Sequence, residues 1–226
     1  DRVLPDTRGC EAFSMHPIIR GNLARIFPRA ADLQSACIRH ALSGRDLVCH
    51  AGDMSGKSAA HVIASLQRLA RTFTDKYWVT ECYVDTLVLV ADVRKALLLA
   101  AEYQRLSAGF DRVYIDVVRD NNADPDAGEA RRFSRCGPGV VIGVPTHVLN
   151  RHRLDTLVFH DLNVLVVDDY NLFSQEALAD MRTLFERSPS EKQVMFFAES
   201  NQPEFSFWDL VDDPLGINAL TPVVSD

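Results

Sequence analysis

"HAGDMSGKSAAHVIASL", His50 to Leu66, decides how the rest of the chain is read. An apolar run ends at Ala51, the chain turns through Gly52 and Gly56, and Lys57-Ser58 opens a helical pattern, so strand, turn and helix follow directly on one another. In an open α/β sheet, ligands bind beyond the carboxyl ends of the strands, which puts this turn in a ligand position. The N–H groups and dipole of a helix start attract phosphate, a lysine neutralises β/γ oxygens, and the next hydroxyl binds Mg²⁺. Lys57 and Ser58 suit those two roles, with Ala51, Gly52, Asp53, Met54, Ser55 and Gly56 forming the loop around the phosphates. A glycine turn capping the helix through Ser55 or Ser58 accounts for the glycine but not for the lysine.

Working outward, short apolar runs alternate with helical patterns: Asp46 to Ala51, Thr86 to Ala91, Arg112 to Val118, Gly139 to Val144, Val164 to Asp169 and Gln193 to Ala198. Six such strands predict an α/β fold with a doubly wound, mostly parallel sheet and helices on both faces. Ser58 to Arg71 places Val62, Ile63, Leu66 and Leu69 on one helical stripe, and Gln175 to Arg187 does the same with Leu178, Met181, Leu184 and Phe185. Arg119 to Arg132 is polar, with Pro and Gly, and reads as a surface loop before a short helix. From Gln202 onward a short helix is expected among turn residues. With no internal repeat, residues 1–226 read as a single domain.

A phosphate loop of this kind needs a carboxylate at the end of a neighbouring strand to hold Mg²⁺ through water. "VLVVDDYN" (Val164 to Asn171) supplies Asp168, followed by Asp169. An acidic pair is also an ordinary strand end capping the next helix; the two elements together favour the metal.

At 226 residues, 47% hydrophobic and 24% charged, the chain is long enough for one substantial core. A net charge of -7 argues against a generally basic, nucleic-acid-coating surface but leaves a local basic groove open. The five cysteines (Cys10, Cys37, Cys49, Cys82, Cys136) are scattered, with no C-x-x-C pair, which points to thiols in a reducing compartment rather than a disulfide framework or zinc. There is no charged, then apolar, leader and no apolar stretch near the roughly 20 residues that span a bilayer. A soluble, intracellular protein with no membrane partner is expected.

From about Phe13 to about Pro214 the order of segments resembles the first RecA-like domain, a P-loop NTPase domain, of a DEAD-box RNA helicase, most closely the mRNA-export and splicing subgroup, the helicase of the TREX complex. "FPRAADLQSACIRHALSGRDLVCHA" (Phe27 to Ala51) is similar to the adenine-reading Q motif, with Phe27 as the stacking aromatic and Gln34 as the carboxamide that reads adenine. "AGDMSGKS" stands at the phosphate loop, "DDYN" at the D-E-A-D position, and Ala198-Glu199-Ser200 at the S-A-T arm that couples ATP to RNA. "GVPTHVL" (Gly143 to Leu149) looks like the T-P-G-R segment along the RNA backbone, giving Pro145, Thr146 and His147 as RNA contacts; P-T-R-E-L survives mainly as Arg94, to within one residue of register. "SPSEKQVMFF", "VLVADVRKALLLAAEYQRLS" and "ASLQRL" carry the likeness to the export subgroup. The resemblance implies ATP or ADP with Mg²⁺ as cofactors, Lys57, Asp168 and Asp169 as catalytic residues, Ser58 and Asp168 as metal-binding residues, single-stranded RNA and mRNA-export and splicing proteins as partners, and nuclear residence.

The departures bear on mechanism. Met54 replaces the central glycine of the family loop, where close phosphate approach normally excludes a side chain. Asp169 replaces the glutamate that positions the attacking water and is shorter by about 1.5 Å, where a displacement near 1 Å costs on the order of 10²-fold. Ala198 lacks a hydroxyl and Glu199 adds a carboxylate in the coupling arm. His147 and Thr146 stand for the arginine and glycine of T-P-G-R, and the paired glycines expected after Val118 are missing, so backbone contacts to RNA are fewer. A second RecA-like domain, with its arginine fingers, is not found in these residues, and the piece alone is expected to hydrolyse ATP very slowly and to unwind nothing. A retired RecA-like scaffold that binds protein partners is the alternative; a stand-alone P-loop kinase fits less well, because the Q-motif-like segment has no place in it.

The seven histidines show no ligand spacing and read as core or surface. Trp78, Trp208, Phe205 and Phe207 are read as packing rather than a base-stacking platform, and Arg131, Arg132 and Arg135 as a solvated helix face rather than phosphate contacts.

Overall fold

The computed structural model describes residues 15–26, 32–52, 55–75, 84–110, 113–119, 139–155, 157–199 and 221–224. Along them run α1 (Pro17–Ile26), α2 (Asp32–Leu42), β1 (Leu47–Ala51), α3 (Lys57–Asp75), β2 (Val84–Leu89), α4 (Val93–Leu106), β3 (Tyr114–Val118), β4 (Gly139–Gly143), α5 (Pro145–Arg153), β5 (Val164–Val167), a 3₁₀ turn (Tyr170–Leu172), α6 (Gln175–Arg187), β6 (Gln193–Glu199) and β7 (Thr221–Val224). Phe27, Asp53, Met54 and Ser200 lie outside the described residues, as do Cys10, Cys82, Cys136, Trp78, Trp208, Phe205, Phe207, Arg131, Arg132, Arg135 and most of the polar loop after Arg119.

All six strands expected from sequence form, in one sheet ordered β3-β4-β2-β5-β6-β1-β7, and every neighbouring pair is parallel. The seventh strand is a correction: the sequence predicts only a short helix and turns in the tail, yet Thr221–Val224 pairs with β1. Pro222 hides it, because proline cannot donate to a ladder and argues against a strand; at the sheet's edge, where β7 lies, that missing donor is tolerated.

The strands read as unbroken apolar runs because both their faces are covered, and the period of two sorts alternate residues into two cores. Leu47, Cys49, Val88, Val90, Val164, Val166, Met195 and Phe197 pack with residues of α1, α2, α3 and α4. Val48, Leu87, Leu89, Leu165, Val167, Val194, Phe196 and Ala198 pack with residues of α5 and α6. The α3 stripe Val62, Ile63, Leu66 and Leu69 is at most 2% exposed, each side chain contributing about 1.5–3 kcal/mol by leaving water. Cys37 and Cys49 are buried thiols.

At the amino-terminal edge, polar groups hold the strands in register. Asp46 accepts a hydrogen bond from the Val194 N–H at 2.7 Å, the Gln193 amide donates to the carbonyls of Ala41 and Arg45, and Asn163 donates to Asp85. With that edge aligned, the carboxyl ends of β2, β5, β6 and β1 line up side by side in that order.

Candidate nucleotide site

Each of those four ends delivers part of one cluster. After β1 the chain turns at Gly56, whose φ of +87° favours glycine, and the Ala60 N–H closes the first turn of α3 on the Gly56 carbonyl. Lys57 is buried, with 8% exposure, because its ammonium folds back onto the loop: Nζ donates to the Ala51 carbonyl at 2.7 Å and the Gly52 carbonyl at 3.0 Å. Ser58 points the other way, and its Oγ donates to Asp168 Oδ2 at 3.1 Å.

Asp168 is placed by the sheet. Its N–H bonds the Leu89 carbonyl, extending the β2–β5 ladder one residue past β5, and the side chain has no exposed surface. The sequence predicts that the loop strand and the acidic strand are neighbours; β6 in fact lies between them. Ser58 bridges that gap by its bond to Asp168, whereas Lys57 turns back to the loop carbonyls.

Two nitrogen-bearing side chains that no sequence motif marked also meet Asp168. Lys95, from the first turn of α4, places Nζ 3.2 Å from Asp168 Oδ2 and 2.7 Å from Asp169 Oδ2. His61, fully buried one turn after Lys57, holds Nε2 3.3 Å from Asp168 Oδ2 without the alignment of a hydrogen bond. Burial by itself would raise the Asp168 carboxyl; the nearness of His61 and Lys95 overcomes it and holds the group down at about 2. Burial would likewise lower Lys95, and the two carboxylates raise it instead. Reading the histidines as core describes where His61 lies but misses what it faces. The signal for Lys95 is the strand order, since β2 is next to β5, and that order is not written in local sequence.

Further contacts join the loop, the acidic segment and the end of β6. His50, in β1, shares a 2.8 Å hydrogen bond with the Tyr170 hydroxyl; burial, then the Lys57 charge, lowers His50, and burial pushes Tyr170 up to about 12. The Asn171 carboxamide accepts from the Glu199 N–H at 3.3 Å, tying "DDYN" to Ala198-Glu199 through the backbone.

The other expected site residues fall in three places. Gln34 lies on α2, though only its backbone is described. Arg94 is exposed on α4, beside Lys95. Pro145, Thr146 and His147 form the first turn of α5, with Pro145 at its opening position.

The residues present fit a magnesium ion. Mg²⁺ prefers oxygen, keeps several waters and is commonly held by one or two carboxylates with substrate phosphates; here Asp168 Oδ1 and the loop's Ser55 Oγ are buried without hydrogen-bond partners, and such orphaned atoms mark a place shaped for a further polar group. Ser58 and Asp168 would hold the ion, which would screen phosphate charge. Among the described residues no group of three His, Cys, Asp or Glu side chains is arranged for a metal, and no helix is long and apolar enough to cross a membrane.

The family model for the DEAD/DEAH box helicases matches residues 31–198. The chain is 28% identical over 193 residues to the ATP-dependent RNA helicase WM6 of Drosophila melanogaster, covering 84% of this chain and 43% of that protein. It is 27% identical over 174 residues to the ATP-dependent RNA helicase DDX39A of Homo sapiens, covering 76% and 38%. The chain thus spans about two fifths of the length of these curated relatives.

Proposed function

The chain belongs to the DEAD/DEAH box helicase family, and on that premise we propose that it is the nucleotide-binding RecA-like domain of an ATP-dependent RNA helicase, one that holds ATP or ADP with Mg²⁺ and hydrolyses it weakly by itself. The observation that carries this is the meeting of Ser58 Oγ with Asp168 Oδ2 at 3.1 Å, beside a loop that holds the Lys57 ammonium inside it. Two protein oxygens and a cation from separate strand ends form the minimum that grips a metal-bound polyphosphate.

In this reading Lys57 exchanges its carbonyl partners for phosphate oxygens, Asp169 orients the attacking water, and Phe27 and Gln34 read adenine. Arg94, Pro145, Thr146 and His147 give a sparse track for single-stranded RNA, and Ala198-Glu199-Ser200 links that track to the nucleotide. A second RecA-like domain, where one is present in cis, would supply the cations that complete hydrolysis. Work in nuclear mRNA processing or export, with the proteins of that pathway as partners, rests on the segment likeness to the export subgroup.

The second reading, a scaffold that binds protein partners without turning over ATP, is favoured by one feature: Lys95 already engages both carboxylates. Calorimetric titration with Mg-ADP and Mg-ATP separates the two. Micromolar to low-millimolar binding that Lys57→Ala weakens by at least about tenfold supports the nucleotide site. Absence of heat and of any thermal shift leaves the scaffold.

A further inference from the structure

Lys95 occupies an unfavourable position for a lysine. Asp92 caps α4 by accepting the Lys95 N–H at 2.8 Å, which makes Lys95 the third residue of the helix. There the positive end of the helix dipole disfavours a cation and favours an acid, yet the first turn of α4 has no acidic residue. The offset comes from beyond the helix, where Nζ bridges Asp169 Oδ2 and Asp168 Oδ2 with the side chain only 28% exposed. Asp168 Oδ2 is further met by Ser58 Oγ and approached by His61 Nε2, while Oδ1 has no partner. Asp168 Oδ2 and Asp169 Oδ2 are therefore engaged by the protein's own donors, and Asp168 Oδ1 is the oxygen of that carboxylate still open to a metal. Lys95 sets its charge against both Asp168 and Asp169, so a divalent cation arriving there meets a less acidic cluster than the two carboxylates alone would make.

We propose that Lys95 is a positioning residue that acts as a tethered substitute for the metal: it holds Asp168 and Asp169 together, competes with divalent cations for them, and makes nucleotide binding by this chain nearly independent of Mg²⁺. The last clause rests on the nucleotide-binding reading above; the competition does not. Once polyphosphate enters, Lys95 and Lys57 together present two cations to it, so less of the phosphate charge is left for a metal to screen.

The test has two arms on the intact chain. In the first, Mn²⁺ alone is titrated into nucleotide-free protein and followed by electron paramagnetic resonance. Lys95→Gln and Lys95→Met, with thermal melts to establish folding, should each bind Mn²⁺ at least about tenfold more tightly than the native chain, as expected when a neighbouring like charge is removed. Lys95→Arg should behave as native, and adding Asp168→Asn to Lys95→Gln should abolish the gain. Equal Mn²⁺ affinity in native and Lys95→Gln protein, or a gain that survives Asp168→Asn, overturns the competition.

In the second arm, ADP affinity is measured with Mg²⁺ and with a chelator. The native ratio should lie within about threefold, and Lys95→Gln should widen it to tenfold or more. A native chain that already needs Mg²⁺ by tenfold overturns the proposal. If ADP binds in neither buffer while Mn²⁺ responds as stated, the nucleotide reading falls and the metal-substituting role of Lys95 stands.

Discussion

Asp168 is a carboxylate without exposed surface, a placement that costs several kcal/mol for an unpaired charge. What makes it tenable is its ring of donors, Ser58, Lys95 and the approaching His61. Its folded value of about 2 lies below the unfolded one, so ionised Asp168 contributes stability above roughly pH 4, on the order of 2 kcal/mol, and that contribution is lost as pH falls toward 2. Urea unfolding followed between pH 5 and pH 2 should therefore show declining stability, with a shallower decline in Asp168→Asn. An identical decline in both proteins would place the acid sensitivity elsewhere. The next residue, Asp169, has a left-handed backbone, φ 52° and ψ 46°. Aspartate is among the few residues other than glycine that visit that conformation, and here it stands where the family resemblance expects glutamate, its side chain on Lys95.

At the scale of elements, close approach between β4 and its neighbours decides where the expected RNA segment begins. A Cβ added at Gly143 would lie 2.8 Å from Val148 Cγ2 and 3.0 Å from Val118 Cβ, so the glycine is required by contact between β3, β4 and α5. Gly143→Ala should destabilise the chain by about 1–3 kcal/mol, measured by denaturant midpoint, and should displace the first turn of α5, which carries Pro145, Thr146 and His147. An unchanged midpoint would show that α5 moves freely. By contrast α6 is fixed from its own sequence: Ser174 caps it by accepting the Ala177 N–H, and Ala177, Leu178, Met181, Leu184 and Phe185 bury one face. Its expected stripe is borne out because cap and period agree.

At the scale of the molecule, the sheet is asymmetric at its edges. β7 covers β1, the strand that carries the phosphate loop, and without it β1 would present an unpaired edge. Deleting residues 220–226 should lower the thermal midpoint by a few degrees and increase light scattering on heating. A variant with unchanged midpoint and no added scattering would show that β1 needs no cover. The same global order, β2-β5-β6-β1, brings Lys95, Asp168, Glu199 and Lys57 to one rim although 142 positions separate Lys57 from Glu199.

The local chemistry was legible from the sequence: six apolar runs, two helical stripes, a glycine turn before Lys57-Ser58 and an acidic pair after β5. These follow from short-range rules, in which period and turn chemistry act within a few residues. The strand order was not legible, nor was the edge strand disguised by Pro222, the β6 tip between the loop and Asp168, or the engagement of both carboxylates by Lys95 with His61 behind Asp168. Those depend on which strands lie side by side, which is decided by long-range packing of two cores on one sheet. Residue types named the candidate phosphate site; the tertiary structure alone showed which cation already sits on its carboxylates.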